Sequence, residues 1–99
     1  MAFREYSREI DGTVYEFREM SIAQRRKIAK QYAKDEDFLT MQANIVLTSC
    51  TTLADSKLAD IDEMPVSLFD QLYDICDDIN EGRDPDAKGK SQEKKQPTT

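Results

Sequence analysis

A chain of 99 residues accounts for one hydrophobic core and not two, and its net charge of −6 and mean hydropathy of −0.73 mark an acidic, water-facing domain. The absence of histidine excludes Ser-His-Asp and Cys-His chemistry and ordinary zinc sites, and three glycines form no Gly-rich phosphate loop. No window approaches the roughly 18 consecutive apolar residues of a membrane span, and Met1 to Gly12 is too charged for a signal peptide, so no membrane partner is expected and the cytoplasm is the expected compartment.

In chain order, residues 3–19 predict a β-hairpin. Asp11-Gly12 suits the positive φ angles of a type I′ turn, and both flanks are rich in aromatic and β-branched residues. Tyr15 and Phe17 share one face of the second strand and are expected to lie on the helices, with Arg4, Arg8 and Glu16 solvated. Ser21 then opens a helix over 21–34. Gln24 completes a capping box, Met20 packs over its start, and Ile22, Ile28, Ala29, Tyr32 and Ala33 form the expected buried stripe.

The central element is a helix over Asp35–Leu53, with Asp35, Glu36 and Asp37 placed to cap its first amides and to favour its dipole. Phe38, Met41, Gln42, Ile45, Val46, Ser49, Cys50 and Leu53 recur at helical spacing, and Leu39, Ala43 and Leu47 widen the face, so cover on more than one side is expected. From Ala54 to Met64 the chain reads as a connector with one helical turn, Leu58 and Ile61 plugging into the core. Its carboxylates lack the central Gly and terminal Glu spacing of a calcium-binding EF-hand loop.

Pro65 is expected as the first residue of the last helix, with Val66, Phe69, Leu72, Ile75, Cys76 and Ile79 as its buried stripe and Gly82 as its stop. Asp70, Asp74, Asp77, Asp78 and Glu81 gather opposite. Acids near a helix C-terminus oppose its dipole, which calls for cations from the basic helix or from a partner. Cys50 and Cys76 fall on apolar stripes and read as buried thiols, with a disulfide between them left open. From 82 to 99 no large apolar residue occurs, and a disordered polar tail is expected after a folded domain over 1–81.

Charge is blocked along the chain: residues 21–34 carry five basic groups and no acid, and 55–86 carry eleven acids against two basic groups. A basic helix can track phosphates, but the acidic chain lacks an aromatic platform or groove-reading motif, so nucleic acid is not an expected partner. Nothing on the acidic helix would split the pKa values of paired carboxylates, so no enzyme, cofactor or metal is expected. The expected fold is mainly α: a small bundle of three main helices with an N-terminal β-hairpin and a disordered C-terminal tail. The candidate partner-binding residues are Asp70, Asp74, Asp77 and Asp78 on one strip and Arg25, Arg26 and Lys30 on another.

The order of these pieces resembles the tail assembly chaperones of long, non-contractile-tailed, lambda-like bacteriophages. Three stretches carry the likeness: the strand-to-helix run that begins Tyr6-Ser7-Arg8-Glu9-Ile10-Asp11-Gly12 and leads into the Ser21-capped helix, the central apolar helix, and Asp62-Glu63-Met64-Pro65 leading into the last helix. The resemblance implies a helical non-virion protein in the host cytoplasm that binds the tape-measure protein, keeps it soluble and promotes assembly of the tail tube. It also implies, for many members, a longer frameshifted form that contacts the tail tube protein, and Gly89-Lys90 and Lys94-Lys95 are dipeptides that slippery codons can encode. The alternatives are an acidic nucleic-acid mimic that inhibits a host protein, and a non-catalytic scaffold that forms a homo-oligomer through apolar faces.

Overall fold

A computed structural model describes residues 2–33 and 37–87. The fold is mainly α with a small antiparallel N-terminal hairpin, as expected. Strands β1 (Glu5–Ile10) and β2 (Thr13–Arg18) precede helices α1 (Ile22–Tyr32), α2 (Phe38–Ser49), α3 (Leu58–Asp62) and α4 (Val66–Asn80), with 3-10 turns at Thr51–Leu53 and Pro85–Ala87. The hairpin turn has φ 53° at Asp11 and 85° at Gly12, the left-handed pair that a two-residue turn of matching twist requires. Tyr6, Arg8 and Ile10 then share the inner face with Tyr15 and Phe17, and Tyr6 lies opposite Phe17 with ring centroids 6.2 Å apart.

The core joins Ile10 and Phe17 of the hairpin to Ala43, Val46 and Cys50, to Ile61 of α3, and to Leu72, Ile75, Cys76 and Ile79 of α4. The hairpin packs on α4 and on the turn Thr51–Leu53 that follows α2, while α1 packs on α2 itself. Helix α1 has the expected Ser21–Gln24 capping box, but no residue of it is buried and Ile22 is 68% exposed. The expected stripe from Ile22 to Ala33 is thus corrected: Ile28 and Tyr32 are half-buried, while Ala29 and Ala33 are exposed. Helix α1 lies on α2, the Tyr32 hydroxyl donating to the Thr40 carbonyl at 3.4 Å, but adds no residue to the core.

Helix α2 starts at Phe38 and stops short of the expected end at Leu53. Asp37 is its N-cap, accepting from the Thr40 amide at 3.2 Å, and the expected caps Asp35 and Glu36 lie outside the described residues. At the other end Cys50 is extended (φ −86°, ψ 98°) and forms a bridge with Phe17. Thr51 and Thr52 hold the break: the Thr51 hydroxyl donates to the Glu16 carbonyl at 3.3 Å, and the Glu16 amide donates to the Thr52 hydroxyl at 2.8 Å. Side-chain hydroxyls here outcompete helix continuation.

Helix α4 starts at Val66, one residue after Pro65, and the chain leaves it through Gly82 with φ 81°. The Arg83 amide donates to the Asp78 carbonyl at 2.7 Å and the Gly82 amide to the Ile79 carbonyl at 3.3 Å, the paired bonds of a Schellman motif. Order continues past the expected boundary at 81. Arg4, expected to be solvated, donates to the carbonyls of Ile79 at 2.8 Å and Arg83 at 2.9 Å. Arg8, likewise expected in solvent, donates to the Tyr6 hydroxyl at 2.9 Å and the Pro85 carbonyl at 3.3 Å, and the Tyr6 hydroxyl donates to Asp86 at 2.6 Å. Polar anchors from Arg4 and from β1 hold a segment that has no apolar bulk, and Pro85 is buried. The rest of the expected tail, 88–99, lies outside the described residues.

Candidate functional site

The apolar positions that the helical pattern assigned to the core outnumber the places the fold has for them, and the surplus collects at one location. Leu39 of α2 is 68% exposed, Leu58 of α3 41% and Val66 of α4 74%, and all three line a groove of about 440 Å³ between the first turns of α2 and α4. Ile61 and Met64 complete the apolar lining from the α3 side and Phe69 from α4. Two expectations are corrected here: Leu58 and Val66 do not plug into the core. Helix α3 is only five residues long, and its single turn buries Ile61 while Leu58, one turn earlier on the same face, stays open at the groove. Val66 is the first residue of α4 and faces the same groove as Leu58 and Ile61 without being covered by them. Phe38, expected on the buried face, is 59% exposed beside Leu39.

Carboxylates edge this groove. Asp37, Asp62 and Asp70 are among its lining residues. Asp37 is engaged as the α2 cap, and its hydrogen bonds from Thr40 hold its carboxyl below the usual range. Asp62 and Asp70 are exposed. Of the charged candidates singled out from sequence, Asp70 alone belongs to the groove.

The other candidates separate into different environments. Asp77 and Asp78 lie about 11 Å farther along α4, from seven or eight residues at roughly 1.5 Å each. Asp78 is 1% exposed and so is not part of an exposed acidic strip. Arg83 donates to Asp78 through Nε at 2.8 Å and to Asp77 through Nη2 at 2.6 Å. Arg25 pairs with Glu81 and donates to the Asn80 carbonyl at 3.3 Å. Together with Arg4, these arginines supply the positive charge that the C-terminal end of α4 needs. Asp74 is half-buried, and Arg26 and Lys30 are exposed on α1, away from the groove lining.

Neither cysteine is part of a reactive site. Both are free and buried, and burial pushes the Cys50 thiol up to about 11 and that of Cys76 well above its usual value. Among the described residues no group of three or more histidines, cysteines or carboxylates could hold a metal ion, and no helix is long and apolar enough to cross a membrane. An open, mainly apolar groove with acidic edges can bind a polypeptide segment by burying its side chains. Residue patterning pointed to charge and missed the exposure of Leu39, Leu58 and Val66; the available signal was that α2 and α4 carry more apolar positions than one short connector can cover. No protein-family model, curated protein or solved structure matches the chain.

Proposed function

We propose that this chain is a tail assembly chaperone that binds the tape-measure protein of a long-tailed bacteriophage in the host cytoplasm, keeps it soluble and promotes assembly of the tail tube. The observation that carries the reading is the groove itself: three large apolar side chains held exposed around one concave surface, in a domain whose acids at the far end of α4 are matched by its own arginines. A holding protein needs apolar surface that is accessible yet too small and too charged at its edges to drive indiscriminate association. The order of elements that resembles the lambda-like chaperones supports the same reading. The nucleic-acid mimic is disfavoured because Asp77, Asp78 and Glu81 are engaged by Arg83 and Arg25, which interrupts a continuous acidic surface.

Co-expression with the tape-measure reading frame from the same genome tests this. The tape-measure protein is expected in the soluble fraction and to co-purify with the chain, and to precipitate when the chain is omitted. Equal solubility with and without the chain, or no complex at low salt, overturns the reading.

A further inference from the structure

The groove's edges and walls specify what occupies it. We infer that it takes one amphipathic helix of a different polypeptide, with apolar residues on the docking face and Lys or Arg on the flanks. This inference rests on the proposed chaperone reading for the partner's identity, but its chemistry follows from the groove.

The walls on α2 (Leu39 to Ala43) and α4 (Val66 to Asp70) each offer about one helical turn, roughly 6 Å at 1.5 Å per residue. That length accepts two or three apolar side chains spaced three or four residues apart, the pattern of a helix laid in a groove. Asp62 and Asp70 stand at the edges, where a basic flank would meet them and an acidic flank would be repelled.

The chain's own surfaces do not supply such an occupant. Outside this region the exposed large apolar residues are Phe3, Val14 and Ile22, among the described residues, and they sit on three separate elements. Phe3 is also covered by the Arg18 guanidinium, 4.4 Å from its ring centroid. Helix α1 is basic on its exposed side but carries only Ile22 as a large exposed apolar residue, so it matches the groove's charge and not its lining. Pairing two grooves face to face would oppose the Asp62 and Asp70 carboxylates of both copies. Residues 88–99 carry lysines but no large apolar side chain.

A labelled synthetic helix of about 18 residues, long enough to hold helical structure, tests the assignment by fluorescence anisotropy on the full chain. One version carries Leu at helical spacing with Lys flanks; the other has the same leucines with Glu flanks. Wild type is expected to bind the Lys-flanked helix about tenfold more tightly or better. Asp62→Lys/Asp70→Lys is expected to reverse that preference, and the charge-matched control Glu5→Lys/Glu9→Lys on the hairpin to retain it. Leu39→Ser/Val66→Ser, which changes exposed residues and is checked for folding by circular dichroism, is expected to weaken both helices.

Equal affinity of wild type for the two helices overturns the inference, as does the same loss in the groove and hairpin variants. Sedimentation is expected to show no self-association that the peptide reverses; a peptide-sensitive dimer would assign the groove to a second copy instead. Retained co-purification of the tape-measure protein by the groove variants would overturn this inference and leave the chaperone reading standing. Intact peptide preference without tape-measure binding would do the opposite.

Discussion

Burying the Asp78 carboxylate costs folding free energy that a cation and hydrogen bonds must offset, and Arg83 supplies both. Because Arg83 is half exposed, solvent screens part of the attraction, so Arg83→Ala is expected to lower stability by about 2 kcal/mol in urea unfolding. The double variant with Asp78→Asn should lose less than the sum of the two single changes, since no unpaired charge is left behind; strict additivity would contradict the pairing. Cys50 predicts a different signature. Its thiol has a folded-state pKa of about 11, above the ordinary 9.0, so the stability it contributes is complete below pH 9 and is lost as pH rises toward 11. Ellman's reagent at neutral pH should therefore label both cysteines at the rate of unfolding, and labelling as fast as in urea would show that they are accessible. The buried thiols were legible from their place on apolar stripes. The role of Arg83 was not, because it lies three residues past the end of α4 in a segment without apolar bulk, where spacing says nothing about which carboxylate the chain folds back to meet.

At the scale of elements, the hairpin turn, the α1 cap and the stop of α4 were legible in local chemistry: Asp11-Gly12 and Gly82 act through positive φ, and Ser21 with Gln24 through reciprocal side-chain-to-backbone bonds. What periodicity could not decide was how deeply α1 would be buried. Helix α1 packs on α2, yet the core draws on Ile10 and Phe17 of the hairpin instead, leaving α1 with no buried residue. Amides of α1 are therefore expected to exchange with solvent faster than those of α4, and equal protection would place α1 in the core. Asn80 ties these elements together: its side-chain oxygen accepts from the Met20 amide at 2.7 Å and its nitrogen donates to the buried Ser49 hydroxyl at 2.8 Å. Asn80→Ala should cost about 1–2 kcal/mol in thermal or urea unfolding, and a neutral result would mean that water replaces both bonds without penalty.

Across the whole molecule, the balance between apolar residues and available cover produces the groove. A domain of this size cannot hide every apolar position of three amphipathic helices behind one two-stranded hairpin and a five-residue helix. The acidic strip was legible in the charge blocks, but the fold answers much of that strip internally and leaves Asp70 and Asp62 beside exposed Leu39, Leu58 and Val66. Leu39→Ser and Val66→Ser should each change stability by no more than about 0.5 kcal/mol, because neither side chain gains much burial on folding, while weakening partner binding. Hydrogen–deuterium exchange of the chain with and without its proposed tape-measure partner tests the central claim most directly. Exchange is expected to slow in the first turns of α2, in α3 and in the first turns of α4, with α1 and the hairpin unchanged; slowing confined to α1 or the hairpin, with the groove unaffected, would contradict it.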